Sequence, residues 1–242
     1  MITNTIGATV YSKNTPGIAG ILGATFDGTN DYLSYASDYT GLVDGKVGIV
    51  ALRIRMNGGD GVAQTVLSTR LDRLIIERSA SNKISAVGKN SAGSFILIGS
   101  STIDIIVDGY YDILMSWDMA GVFQCYVDDA PSTTSIVHTD DTIEYATGAH
   151  KVGTDNLGVG RLNADVSFVY QNLSEYLDFS VEANRRKFFT SSGAVVDMGS
   201  DGSTPTGTPP DLFLRGDYTT FESNKSGNGG LTVTGALSRP AS

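Results

Sequence analysis

The strongest constraint on the fold lies in residues 111–130. Ile113, Met115 and Trp117 alternate with Asp112, Leu114 and Ser116. This period of two suits a strand with one face on a core. Residues 118–121, Asp-Met-Ala-Gly, supply a turn. Phe123, Cys125 and Val127 then alternate with Gln124, Tyr126 and Asp128. Pro131 ends the return arm, because proline has no N–H to give to a sheet ladder. The hairpin holds the only Trp and the only Cys of the chain. Trp117 falls mid-strand on the apolar alternation and is expected in the core, as is Cys125, an inert buried thiol.

The same texture recurs. On 48–56, Ile49, Ala51, Arg53 and Arg55 share one face, and Val50, Leu52, Ile54 and Met56 the other. Further strands are predicted at 63–68, 73–78, 83–87, 94–99, 135–138, 157–161, 165–171 and 231–237, with short Ser-, Asn- and Gly-rich gaps. The 29 glycines show no Gly-X-Y period, so they mark turns. Strands at this spacing indicate a single all-β sandwich or barrel, a size that 242 residues can fill. One short late helix is expected at 180–189, with Ser180 as N-cap, Glu182 in the first turn, Arg185, Arg186 and Lys187 towards its end, and Val181 and Phe188 on one face.

A net charge of −9 disfavours a phosphate backbone and an anionic membrane surface as partners. Neither nucleic acid nor membrane is therefore expected. No run approaches the ~20 apolar residues of a membrane span. The first 26 residues lack a basic start followed by an apolar core, so no signal peptide is expected.

Residues 24–33, Ala-Thr-Phe-Asp-Gly-Thr-Asn-Asp-Tyr-Leu, come first, followed by a long strand, the Trp-containing hairpin with Tyr126-Val127-Asp128, a late strand and a short helix. This order resembles the laminin-G-like branch of the concanavalin-A-like jelly-roll family. Asp129 stands where that pattern usually has glycine. Residues 1–20, small, polar and Gly-containing, read as an N-terminal arm or edge strand. The resemblance implies a sandwich over 21–190, followed by an extended C-terminal segment, 191–242, packed on the sandwich or on a neighbouring subunit. A second likeness lies in 184–188, 192–193, 197–207, 213–217 and 231–237. These segments are similar to the C-terminal pattern of laminin-G-like virion proteins of bacteriophages and prophages.

That second likeness implies a phage virion structural surface protein: a capsid decoration, head spike or tail appendage, assembled in the host cytoplasm. Its partners would be other virion proteins, copies of itself and a host cell-surface glycan. The alternative is a free bacterial carbohydrate-binding module or lectin, with a polysaccharide-degrading enzyme behind both. Catalysis is not expected. A retaining hydrolase needs two carboxylates about 5 Å apart, and Glu175, Asp178 and Glu182 have the wrong spacing on a strand. His138 and His150 stand in polar, loop-like surroundings, read as exposed, without a nucleophile motif. No cofactor is expected, with calcium as the one metal the resemblance brings in. Its candidate ligands are the hard oxygens of Asp27, Asn30 and Asp31, against the plainer reading that they only build a turn. Tyr32, Tyr35, Tyr39, Tyr110, Tyr111 and Tyr145 lie near loops or strand ends, where rings could stack on sugar.

Overall fold

The structure, a computed structural model, describes residues 22–107 and 109–241. The N-terminal arm or edge strand expected at 1–20 lies outside them. Two antiparallel sheets pack face to face. Among the described residues the first has seven strands: β1 (Ala24–Asp27), β13 (Asn163–Asn172), β3 (Val47–Met56), β8 (Tyr110–Asp118), β9 (Val122–Val127) and β10 (Ala130–Pro131) in that order, with β14 (Leu212–Arg215) also on β13. The second has eight, in the order β11 (Thr134–His138), β7 (Phe95–Asp104), β6 (Lys83–Lys89), β5 (Leu74–Arg78), β4 (Gln64–Thr69), β12 (His150–Val152), β2 (Tyr32–Tyr35) and β15 (Thr232–Thr234). The fold is a jelly-roll β-sandwich.

Alternation along each strand places the core. Val50, Leu52, Ile54 and Met56 of β3 face inwards with Ile113, Met115 and Trp117 of β8 and Cys125 and Val127 of β9, all buried between the sheets. Trp117 is fully buried. Its indole Nε1–H donates to the Tyr145 hydroxyl at 2.8 Å, and that hydroxyl donates to the Val47 carbonyl at 2.9 Å. Burial pushes the Cys125 thiol pKa up.

The other face of the seven-stranded sheet carries a second apolar layer. Ile49, Ala51, Leu114, Phe168, Tyr170 and, from β14, Phe213 are buried there under Phe179, Phe188, Phe189 and Met198. Residues 177–198 thus form a third layer over part of the sheet. The C-terminal residues do not stand off as an arm. β14 pairs with β13, and β15 pairs with β2.

Three local expectations are corrected. No strand forms at 157–161. The strand is β12, which starts seven residues earlier in the chain and is inserted between β2 and β4 by pairing on both sides. The helix α1 (Glu182–Arg185) is a single turn with Val181, not Ser180, at the N-cap, because the Asp178 carboxylate already turns the chain by accepting from Ser180 N at 2.9 Å. Val181 is 48% exposed, so only Phe188 of the proposed helix face enters the apolar layer.

Candidate functional site

The chemistry of the outer sheet face changes along β3. Ile49 and Ala51 lie under the third layer, and Arg53 and Arg55 lie beyond its edge. β8 repeats the change, with Leu114 covered and Asp112 and Tyr110 beyond it. Where the cover stops, a cleft of about 480 Å³ opens between Arg53, Tyr110, Asp112, Tyr126, the β9–β10 turn and residues 185–193. Small-ligand sites have volumes of about 300–1,000 Å³.

The turn at Asp128 and Asp129 makes one wall. Both residues have positive φ, 50° and 65°, as a tight hairpin with two central residues requires. Glycine would adopt this backbone more easily than Asp129. The aspartate instead brings a carboxylate to two guanidinium groups. Arg185 Nε donates to its Oδ1 at 2.6 Å, and Arg186 Nη2 to its Oδ2 at 2.6 Å. Arg186, with Arg185 adding to it against a smaller opposing effect of burial, holds the Asp129 carboxyl below its ordinary value. Arg185 also lies over the Tyr126 ring at 4.8 Å and donates to the Phe179 carbonyl at 2.6 Å.

The opposite wall is the turn after Phe189. Thr190 N donates to the Ala194 carbonyl at 2.8 Å, and the Thr190 and Ser192 hydroxyls are 2.9 Å apart. Gly193, at φ +78°, lies so close to the sheet that a Cβ there would fall 2.9 Å from Asp112 Oδ2. Its carbonyl accepts from Arg53, which also pairs with Asp112 at 3.3 Å. Tyr110 packs between Arg53 and Arg55, at 5.4 and 5.2 Å from its centroid, and burial raises the pKa of its hydroxyl. Three guanidinium groups and the carboxylates of Asp112, Asp128 and Asp129 balance in charge. The cleft therefore offers aromatic rings, hydroxyls and paired donors and acceptors without a net charge, a lining suited to a neutral polyhydroxyl ligand.

Of the tyrosines expected to stack on sugar, only Tyr110 lines this cleft. Tyr39, Tyr111 and Tyr145 are buried in the core, which corrects that expectation for all three. Tyr35 stacks on Tyr39, and Tyr32 lies beneath Arg161. His150 is not an exposed loop residue. It is a buried β12 residue stacked on Tyr39 at 4.3 Å, with Nε2 3.3 Å from Asp38 Oδ1. His138 Nε2 lies 3.1 Å from the Asp118 carbonyl. Asp178 accepts from Gln124 Nε2 at 2.7 Å, and Glu182 from Arg186, so both have structural partners.

Asp27, Asn30 and Asp31 share the β1–β2 turn. Asp27 Oδ1 accepts from the amides of Thr29, Asn30 and Asp31 at 2.7, 3.1 and 3.4 Å. Buried Asp31 accepts from Asp27 N through Oδ2 and from Ala236 N, at 2.7 Å, through Oδ1. Both carboxylates are thus acceptors for the backbone. Among the described residues no group of three or more His, Cys, Asp and Glu side chains could hold a metal ion. A calcium ion takes six to eight oxygens, and here the two carboxylates already serve the backbone of the turn and of residue 236.

No family model and no curated protein sequence matches the chain. Solved structures do. The chain is similar to a candidate carbohydrate-binding protein of Bacteroides ovatus, with a TM-score of 0.59 and 11% identity, over 92% of this chain and 61% of that one. It thus spans about three-fifths of that protein. The likeness is one of fold. Weaker similarities are to domains LG4–5 of the mouse laminin α1 chain (TM-score 0.45, 16% identity, 66% of this chain and 43% of that one) and to the binding domain of botulinum neurotoxin serotype G (0.49, 12%, 65% and 40%).

The cleft residues that sequence reasoning missed did leave a signal. Arg53 and Arg55 interrupt an otherwise apolar strand face, and Tyr126 lies on the polar alternation of β9. A face that begins apolar and turns charged along one strand is a face covered over only part of its length.

Proposed function

We propose that this chain is a non-catalytic, lectin-like sandwich that binds a neutral glycan in the cleft between Tyr110, Tyr126 and residues 190–193. The charge-balanced, aromatic and hydroxyl-rich lining of that cleft carries the reading. The Bacteroides ovatus protein of similar fold, described as carbohydrate-binding, supports it. Carboxylates and guanidinium groups that already hold one another in place can bond ligand hydroxyls without a large reorganisation cost. Screening the purified chain on a glycan array, then measuring hits by calorimetry, tests the proposal. The expected result is binding to a neutral glycan, weakened about tenfold or more by Tyr126→Ala or Arg53→Ala while circular dichroism shows the fold intact. No binding across a broad array would overturn it.

The finer setting we propose is the surface of a bacteriophage particle, as a capsid, head or tail decoration, with other virion proteins or copies of this chain beside it and a host cell-surface glycan opposite. This setting rests on the sequence pattern of residues 184–237. Mass spectrometry of purified particles from the producing strain tests it. Absence of the chain from particles, with glycan binding retained, would leave a free bacterial lectin instead.

A further inference from the structure

A second cleft, of about 370 Å³, lies at the rim of the same sheet and shares no residue with the first. Asp27 and Asn163 are paired residues of β1 and β13. Their side chains leave the sheet on the face that carries Arg55 and Asp165, since Ala24, Phe26 and Ala164 take the inner positions. The facing wall is the loop 57–63. Fully buried Arg78 holds that loop, donating to Asp60 Oδ1 at 2.7 Å, to the Gly58 carbonyl at 3.1 Å and to the Gly59 carbonyl. Buried Gln64 ties the two walls together. Its Nε2 donates to the Gly58 carbonyl at 2.9 Å, and its Oε1 accepts from Asn163 N at 2.8 Å. A Cβ on Gly59 would fall 2.0 Å from Gln64 Nε2, so only glycine lets the loop lie this close.

Burying a guanidinium costs several kcal/mol before its hydrogen bonds offset it, and Arg78 Nε has no partner among the described residues. What the arrangement secures is geometry: two stiff walls at a set spacing. On them sit complementary groups. Asp27 offers a carboxylate whose pKa burial would raise, but which the amides of Thr29, Asn30 and Asp31 together bring below its ordinary value. The Arg161 guanidinium lies over the Tyr32 ring at 4.7 Å from its centroid. Val62, 58% exposed, and Ala63 add a small apolar patch.

We propose that this cleft is a second saccharide site, which takes one neutral pyranose with vicinal hydroxyls on Asp27 and Asn163 and a C–H face on Val62 and Ala63. The mixed charge decides the class: an anion meets Asp27, and a cation meets Arg161. The inference rests on the glycan reading of the sandwich. Asn57, beside Asn163 and one residue past the end of β3, is four residues from Arg53 of the first cleft, about 13 Å at ~3.3 Å per residue. The two sites would therefore engage one glycan surface together and add avidity to weak individual contacts.

Amide chemical-shift mapping with methyl glycosides of glucose, galactose, mannose and N-acetylglucosamine tests this. The expected result is two sets of shifts, one at Tyr126 and Gly193 and one at Gly28, Gly160 and Asn163. Asn163→Ala, or Val62→Asp should the first variant fail to fold, should erase the second set and leave the first. Shifts confined to the first cleft, or a second set that both variants leave in place, would overturn the second site while the glycan reading stands. No shifts with any glycoside, together with a blank glycan array, would end both.

Discussion

Replacing Tyr145 by Phe removes one oxygen from the middle of the sandwich. That oxygen accepts from Trp117 Nε1 and donates to the Val47 carbonyl, and both rings are fully buried. Phenylalanine fills the same space, so cavity effects are small, and the main change is an indole N–H left without a partner. An unsatisfied buried donor costs about 1–3 kcal/mol. At about 2 kcal/mol, a chain of this size should lose roughly 4–8 °C in Tm. Urea unfolding followed by circular dichroism, in the wild-type and Trp117→Phe backgrounds, gives the coupling directly. Without the indole the tyrosine hydroxyl has no N–H to satisfy, so Tyr145→Phe should then cost less than about 1 kcal/mol. An equal cost in both backgrounds, or a cost below about 0.5 kcal/mol in the wild type, would refute the idea that this bond anchors Trp117.

His150 should impose a pH dependence. Burial pushes its pKa below the ordinary 6.5, outweighing the pull of Asp38 in the other direction. The unfolded chain therefore takes up the proton first. Stability is full above about pH 7 and falls as pH drops through about 6.5. His150→Gln should flatten the Tm profile between about pH 7.5 and 5.5, and an unchanged slope would remove His150 as its source. Because the Asp27 and Asp31 carboxylates are bound to backbone amides, calcium at about 5 mM should leave Tm within about 1 °C. A rise of several degrees that Asp27→Asn abolishes would instead establish a calcium site.

The features legible in the sequence were those written in local alternation. The β8–β9 hairpin, the core position of Trp117 and the two faces of β3 follow from period two alone, because each strand buries one side against the other sheet. The features that were not legible depend on partners far along the chain. β12 has only three residues, and two of them, His150 and Lys151, are polar. It is a strand because β2 and β4 pair with it from both sides. His150 looks like a loop residue until Tyr39, more than a hundred positions earlier, covers its ring. α1 has the charges of a longer helix, but Arg185 and Arg186 are engaged by Asp129 of the hairpin turn. The first cleft is hidden for the same reason. Its walls come from residues 53, 110–130 and 185–193, and no local pattern joins them.

The pairing of β1 with β13 has a consequence for how the chain is made. Asp27 meets Asn163, so the first strand of the seven-stranded sheet waits for about 136 residues of synthesis before its neighbour exists. At a translation rate of ~5–20 residues per second, that is roughly 7–27 s. β2 waits nearly as long for β12, and longer for β15. Through that interval Phe26 and Leu33, later core residues, sit on strands with no neighbour to pair with. Folding of this sandwich should thus be slow and late, with the earliest strands the most exposed to aggregation.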